Sequence, residues 1–285
     1  MKIKKILNNS AVVIKDSDGE KIVMGEGVGF QKRKNDLVSP AKIDKVFTMN
    51  QSNDHQKFEE AFKQFPEQHI SLARDILSQA EKDLQIKINQ YAYLSFTDHL
   101  SFAIERIQKG FIVENALLDQ IKILYRKEYE LGLWAKNYIK EKTNIDIPED
   151  EVGNIALHLH TARMKINDMS STLDKTATIQ EITSIIENRF NINIVEDSLS
   201  YERLLSHLQL SLKHLFSDER AHQMDAQMST LLKNHLSESY DCAQEVGRFI
   251  EEKYKKPYPE EEIIYIAMHI ERFYTRSLKT GKVRL

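Results

Sequence analysis

The sequence predicts a multidomain chain: a small all-β antiparallel domain followed by two homologous all-α helical-bundle domains. Three observations carry this. Short runs rich in β-branched residues, broken by turn signals, fill residues 1–50 and stop there, and a helical period then runs to the end. The third observation is an internal duplication. Pro148 to Arg163 reads P-E-D-E-V-G-N-I-A-L-H-L-H-T-A-R, and P-E-E-E-I-I-Y-I-A-M-H-I-E-R-F-Y returns 111 residues later, from Pro259 to Tyr274.

In the β domain, strands are predicted over Ile3–Leu7, Ala11–Lys15, Lys21–Met24, Val28–Lys32 and Ile43–Thr48. Asn8-Asn9-Ser10, Asp16-Ser17-Asp18-Gly19, Gly25-Glu26-Gly27 and Asn35-Asp36 supply the turns between them. About fifty residues bury too little surface for comfortable stability, so self-association as a two-fold homodimer is expected. The polar stretch Met49–Gln56 reads as a linker.

From Lys57 onward Pro66-Glu67 opens one helix, Asn89 and Asn115 are turn or cap signals, and the apolar face of Leu117, Ile121 and Leu124 marks another helix. The duplicated helix starts at its proline, where the missing N–H costs nothing and the acids that follow complement the positive end of the dipole. Val152, Ile155, Ala156 and Leu159 form its apolar stripe, as do Ile263, Ile266, Ala267 and Ile270 in the second copy. Upstream, Leu131, Ala135, Tyr138 and Ile139 repeat as Cys242, Val246, Phe249 and Ile250. At an offset of 108, Tyr93–Leu100 aligns with Tyr201–Leu208. The domains are therefore drawn at 1–56, 57–168 and 172–279, with a short link at Asp168–Asp174 and a basic tail of Lys279, Lys282 and Arg284.

The duplication puts histidines in matched places: His99 with His158, and His207 with His269. Glu151 and Glu262 stand seven residues before the second member of each pair. His160 does not repeat, since its counterpart is Glu271. His158 and His160 are two apart on a helix and face nearly opposite sides, so they do not share a metal. No partner nucleophile or paired carboxylate stands at a catalytic spacing, and no catalytic residue, metal or cofactor is expected. The lone Cys242, on an apolar helical face, reads as a small core residue. No run is long enough to span a bilayer and the N-terminus lacks a signal peptide, so a cytoplasmic protein without membrane insertion is expected.

Net charge is −3, unevenly placed. Residues 1–50 hold ten Lys or Arg against six Asp or Glu, a balance of +4 that leaves −7 for the rest. Gly25 to Lys34 combines three glycines, one phenylalanine and a basic cluster. Glycine permits close backbone approach, an aromatic ring offers a stacking face and cations engage phosphate, a set that suits RNA; a hairpin turn beside a solvated basic strand fits the same residues. It is no nucleotide phosphate loop, because no helix follows and the Lys-Ser/Thr pair is missing.

Residues 1–48, through K-I-K-K-I-L-N-N-S, V-M-G-E-G-V-G-F-Q-K and I-D-K-V-F, resemble the RNA-binding (co-antiterminator, CAT) domain of the BglG/SacY/LicT family of transcriptional antiterminators. The helical part is similar to that family's two phosphotransferase-system regulation domains (PRD), through S-F-T-D-H-L-S-F-A-I-E-R, I-P-E-D-E-V-G-N-I-A-L-H, Y-E-R-L-L-S-H-L and I-A-M-H-I-E-R. The resemblance implies a dimeric β domain that clamps a leader mRNA hairpin through Lys5, Asn8, Asn9, Ser10, Gly25, Gly27, Phe30, Gln31 and Lys32. Ser10 stands where the family usually has asparagine, and Glu26 where many members have arginine.

It also implies reversible phosphorylation, for which a neutral imidazole is chemically suited. His99 and His158 would take phosphate from the sugar-specific enzyme II permease, and His207 and His269 from the phosphocarrier protein HPr. Either Asp98 or Glu151 would orient the acceptor ring. Gly132-Leu133-Trp134-Ala135 and Asn193–Asp197 resemble the sucrose branch, which makes sucrose the first expectation for the inducing sugar and an aryl-β-glucoside the second. Two other classes share these modules. A DNA-binding activator would need a helix-turn-helix in place of the β pattern, and a phosphotransferase component would pass phosphate on to sugar.

Overall fold

The computed structural model describes residues 1–16, 19–48, 52–164, 169–192, 199–216 and 224–280, except for the side chains of 52–57 and 276–280. The Ser17-Asp18 turn, the start of the linker at 49–51, Asp168, the Asn193–Asp197 motif and the tail residues Lys282 and Arg284 lie outside these residues.

The N-terminal module is a four-stranded antiparallel sheet in the order β1 (Lys2–Asn8), β2 (Ala11–Asp16), β3 (Gly19–Met24), β4 (Lys45–Thr48). Ala11 through Ile14 are all buried, so both faces of the sheet are covered. One face carries Val12, Ile14 and Val23, roofed by Val28 and Val38 of the long β3–β4 connection. The opposite face carries Ala11, Val13, Ile22, Met24 and Phe47 and packs on helices. Ile3 joins the first face and Leu7 the second, although strict alternation would put them together. Register irregularities between Ile3 and Lys5 and between Ile6 and Asn8 change the facing along β1.

The predicted strand at Val28–Lys32 is not formed. The N–H groups of Val28, Phe30 and Lys32 donate to the carbonyls of Gly25, Gly27 and Gly29, a run of tight turns. Gly27 at φ 62 and Gln31 at φ 55 are incompatible with a strand. Alternating apolar residues here signal a roof over the sheet instead of a fifth strand. The last strand begins at Lys45 because Pro40–Lys42 forms a short 3-10 turn that ends at Ile43.

The chain divides into two compact units: Met1–Asn115 with Lys127–Met169, and Ala116–Arg126 with Ser170–Leu285. In the first, α1 (Ser52–Gln64) begins within the stretch read as linker, because its one-sided apolar residues, Phe58 and Phe62, seat on the sheet. Phe58 stacks on Phe62 at 4.5 Å, Phe47 of β4 lies 5.7 Å from Phe58, and Tyr93 lies 5.4 Å from Phe47. Burying each such ring contributes about 1.5–3 kcal/mol, more than any surface ion pair here. Lys45 pairs with Glu81 at 2.7 Å and Arg74 with Asp44 at 3.7 Å along the margin of this contact.

The first unit also holds α2 (Glu67–Asp83), capped by Pro66, and α3 (Gln90–Gln108), whose cap Asn89 accepts the Ala92 N–H at 2.9 Å. Asn115 caps no helix: its N–H donates to Asp150 and its amide to Asn154. Helices α5 (Arg126–Thr143) and α6 (Glu149–Arg163) complete it.

The second unit comprises α4 (Leu118–Leu124), α7 (Ser170–Phe190), α8 (Leu199–His214), α9 (Ala226–His235), α10 (Ser237–Tyr254) and α11 (Glu260–Thr280). α7 starts at Ser170, inside the expected link, because Thr172, Thr176 and Ile179 bury one face of it. α4 precedes α5 in the chain yet packs with the second unit, where Ile123 and Leu124 join its core and Gln120 reaches the Tyr201 hydroxyl at 3.4 Å. Cys242 is fully buried there and its thiol pKa is pushed up to about 12 by burial.

Gly25 sets a sharp test of this packing. A Cβ on it would sit 1.7 Å from the Lys42 carbonyl oxygen, a backbone atom that cannot swing away. Gly25→Ala is expected to destabilise the first unit by more than about 2 kcal/mol in chemical denaturation, whereas alanine at exposed Glu26 changes it by less than about 0.5 kcal/mol.

Candidate functional site

Two kinds of site emerge. The first is an edge of the sheet. A two-residue turn, Asn9-Ser10, joins β1 to β2, and the β3–β4 connection lies against it: Gly25 N–H donates to the Ser10 carbonyl at 3.0 Å and Gly29 N–H to the Asn9 carbonyl at 2.8 Å. Gly29 has no room for a side chain, since a Cβ would come 2.4 Å from the Asn8 carbonyl. The hairpin and the glycine loop therefore form one edge. It brings together Asn8, Asn9, Ser10, Gly25, Gly27 and, farther along the loop, Phe30, Gln31 and Lys32. Phe30 is 53% exposed, an aromatic face offered to solvent, with exposed Gln31 beside it. Lys42, which sequence reasoning passed over, reaches this loop, its Nζ donating to the Gly27 carbonyl at 3.3 Å. Glu26 is exposed.

The hairpin end of this edge is already engaged. Lys5 pairs with Glu59 of α1. The Asn8 amide donates to the Phe62 carbonyl at 2.7 Å, and its oxygen accepts the Ser10 N–H at 2.9 Å. The Asn9 amide donates to Glu67 at 2.8 Å, and the Ser10 hydroxyl to the other oxygen of Glu67 at 3.4 Å.

The second kind of site occurs once in each helical unit. In the first, α3 and α6 bring His99 and His158 face to face, ring centroids 4.4 Å apart and planes inclined by 31°. In the second, α8 and α11 do the same for His207 and His269, at 5.1 Å and 28°. The sequence duplication is thus a duplication of a paired-imidazole site.

A carboxylate accompanies each pair, and it sits on the ring across the helix contact. Glu151 of α6 lies 3.2 Å from Nε2 of His99, and Glu262 of α11 lies 3.3 Å from Nε2 of His207, ion-pair distances off the hydrogen-bond line. Glu151 is only 1% exposed and also takes Arg106 and the Asn154 amide, the latter at 2.9 Å. Of the two acids that the sequence offers beside His99, Glu151 is the one that faces its ring, while Asp98 is exposed.

Burial raises the Glu151 pKa, but His99, Asn154 and Arg106 outweigh it and hold the group below the usual carboxylate range. Glu262 is likewise held low, burial being overcome by His207 and Ser211. His158 is pushed down to about 3, chiefly by burial and then by the facing His99. His269 is pushed down to about 4 by burial, His207, Arg272 and Arg203. Both rings are neutral at cell pH, so each has one nitrogen lone pair free to act as a nucleophile.

His160 has a structural partner: its Nδ1 lies 3.0 Å from buried Glu128, which also binds Arg163 Nε at 3.0 Å. In the second unit the acid has moved to the other helix, Ser239 donating to Glu271 at 2.7 Å. Sequence reasoning found the histidines through the repeat. It missed Arg106, Arg203 and Arg272, whose long side chains carry no periodic signal. Among the described residues, no group of three or more His, Cys, Asp or Glu is placed to hold a metal ion, and no helix is long and apolar enough to cross a membrane.

Comparison with known proteins finds two families along the chain. The CAT RNA binding domain family matches residues 1–56, and the PRD domain family matches twice, at 74–162 and 180–273. The chain is 36% identical over 273 residues to transcription antiterminator LicT of Bacillus subtilis (strain 168), covering 95% of this chain and 98% of that protein. It is 34% identical to the beta-glucoside operon antiterminator of Dickeya chrysanthemi, covering 95% and 96%. Among solved structures, the crystal structure of GlcT CAT-PRDI superposes with a TM-score of 0.53 at 29% identity, covering 57% of this chain and 97% of that one.

The depressed imidazoles make stability depend on pH in a defined window. A histidine whose folded pKa lies below 6.5 binds a proton more readily in the unfolded chain, so stability falls as pH drops below 6.5 and levels off above about 7. The depressed carboxylates of Glu151 and Glu262 act lower, below 4.5. Between pH 6.5 and 5.5 His158 alone is expected to contribute up to about 1 kcal/mol of loss. In urea titrations at pH 7.5, 6.5 and 5.5, His158→Gln should therefore show a shallower decline than the wild type; parallel declines would refute the assignment.

Proposed function

Because the chain belongs to the BglG/LicT family of transcription antiterminators, with a CAT RNA-binding domain and two PRD domains, we propose that it acts as a homodimer on the leader mRNA of a sugar-utilisation operon. It stabilises a hairpin there that excludes the terminator. The phosphotransferase system sets its activity by phosphorylating the paired histidines. The observation that carries this reading is the doubled site: two facing imidazoles with a buried carboxylate, once per helical unit.

The RNA-facing groups are the ammonium of Lys5, the amides of Asn8, Asn9 and Gln31, the Ser10 hydroxyl, the close-approach glycines Gly25 and Gly27, the ring of Phe30 and the ammonium of Lys32. Amides and hydroxyls recognise base edges and 2′-hydroxyls, the ring stacks on an unpaired base, and the lysines meet phosphates. Lys42 joins them from beneath the loop.

Phosphorylation proceeds by attack of a ring nitrogen lone pair on the phosphorus of the donor's phosphoryl group. A new P–N bond forms, the bond from phosphorus to the donor side chain breaks, and that side chain leaves with the electron pair. HPr serves His207 and His269, and the sugar-specific permease serves His99 and His158 when its sugar is absent. The product places about −1.5 to −2 charges near Glu151 or Glu262. Like unit charges 4 Å apart at an effective dielectric of 20 repel by about 4 kcal/mol. Moving a two-state equilibrium from 1:99 to 99:1 takes about 5.5 kcal/mol, so phosphorylation of both rings is enough to part α3 from α6, or α8 from α11.

For the inducing sugar, the resemblance of Gly132–Ala135 to the sucrose branch is outweighed by similarity along nearly the whole chain to a relative named for a beta-glucoside operon. A β-glucoside is the reading and sucrose the second. A DNA-binding activator is disfavoured because the N-terminal module is a four-stranded sheet among its described residues. A phosphotransferase component is separated by the test below.

Incubation of the full chain with phosphoenolpyruvate, enzyme I and HPr is expected to label His207 and His269, with no transfer to sugar. His207→Ala with His269→Ala should remove at least about 90% of that label. His99→Ala with His158→Ala should make readthrough of a leader reporter independent of the β-glucoside. Label passing to sugar, or readthrough still dependent on inducer in the latter variant, would overturn the reading.

A further inference from the structure

We propose that the corner where α1 turns into α2 is an internal competitor for RNA, holding the hairpin end of the RNA edge closed until the first helical unit rearranges. The proposal rests on the RNA-binding reading above and adds to it a gate within the chain.

The argument is one of donors and acceptors. Each of the side chains of Lys5, Asn8, Asn9 and Ser10 that would donate to RNA already meets an acceptor of this corner. The Lys5 ammonium is on Glu59, the Asn8 amide on the Phe62 carbonyl at 2.7 Å, and the Asn9 amide on Glu67 at 2.8 Å. The Ser10 hydroxyl lies 3.4 Å from the second oxygen of Glu67. Two carboxylates and a backbone carbonyl present the acceptor pattern that phosphate and base oxygens of RNA would present. A donor proton already committed, on a side chain held against the corner, must be released before it can serve RNA at full strength, so RNA and the corner compete for these groups.

The loop end of the edge differs. Phe30 is 53% exposed, and Gln31 is exposed beside it. RNA can therefore dock on the loop first but must displace the corner to reach the hairpin. Apolar contacts set the corner's position: Phe58 and Phe62 seat α1 against Phe47 and Tyr93. Glu67 itself is exposed, one residue after Pro66, and nothing in the core requires it.

The corner is also tied to the first histidine pair. Buried His69, two residues after Glu67, places its Nδ1 2.9 Å from the hydroxyl of Ser101, two residues after His99. A shift of α3 thus reaches the corner through one packed contact.

The test uses the unphosphorylated full chain and a fluorescein-labelled transcript of the leader of its own operon, with anisotropy read at fixed salt. Glu59→Ala with Glu67→Ala is expected to bind about tenfold more tightly than the wild type, because the open state no longer competes with the clamp. Glu141→Ala with Glu238→Ala removes the same charge from other exposed positions and should stay within about twofold of the wild type. Measurable wild-type binding with no gain in the corner variant, or an equal gain in the control, overturns the gate and leaves RNA binding standing. Absence of binding by every variant instead overturns the RNA reading, and the gate with it. Thermal melts of both surface variants, expected within a few degrees of the wild type, show that folding is not what changes.

Discussion

A buried carboxylate governs this architecture. Glu151 is all but sealed from water, and a lone ionised carboxylate in that position would cost several kcal/mol. It is sustained by cations and donors drawn from a second helix: Arg106 and His99 from α3, with Asn154 from its own. The need to pair one charge therefore fixes how α3 lies on α6 and places His99 against His158. Glu262 imposes the same condition on α8 and α11 through His207. Any added negative charge at the rings attacks the interaction that sets the helix contact.

The two copies share that logic but not its electrostatics. Arg106 bears on the carboxylate of the first pair, whereas Arg203 and Arg272 lower the pKa of His269 in the second. The residue at the Arg106 position of the second copy is His214. A phosphoryl group in the second unit would meet arginines beside the ring, and in the first an arginine already committed to Glu151.

How much of this was legible in the sequence depended on whether a residue obeys a period or a repeat. The helix pairs and their histidines were legible because duplication preserved offsets of 111 and 108 residues. The strands through β3 were legible because β-branched runs alternate with turn residues. Val28–Lys32 misled because an apolar residue roofing a sheet reads like one within it, and only the positive φ of Gly27 and Gln31 separates the two. The start of α1 was hidden by a polar face, since Phe58 and Phe62 become informative only when the sheet they cover is known. Glu59, Phe62 and Glu67 were invisible as partners of Lys5, Asn8 and Asn9 because polar contacts across more than fifty residues leave no local pattern.

The same seating explains why the β module cannot simply drift free. Leu7, Ala11, Val13, Ile22, Met24 and Phe47 form a continuous apolar face whose cover in this chain comes from α1 and the helices behind it. Exposing it would cost about 1.5–3 kcal/mol for each large side chain, a total beyond what a few phosphates supply. A state with the hairpin edge released must therefore keep that face covered. Either the corner swings while Phe58 and Phe62 stay seated, or a second apolar surface takes their place. A second copy of the sheet is the surface that the proposed homodimer brings. Release of the RNA edge and association of two chains then become linked equilibria, each lowering the cost of the other.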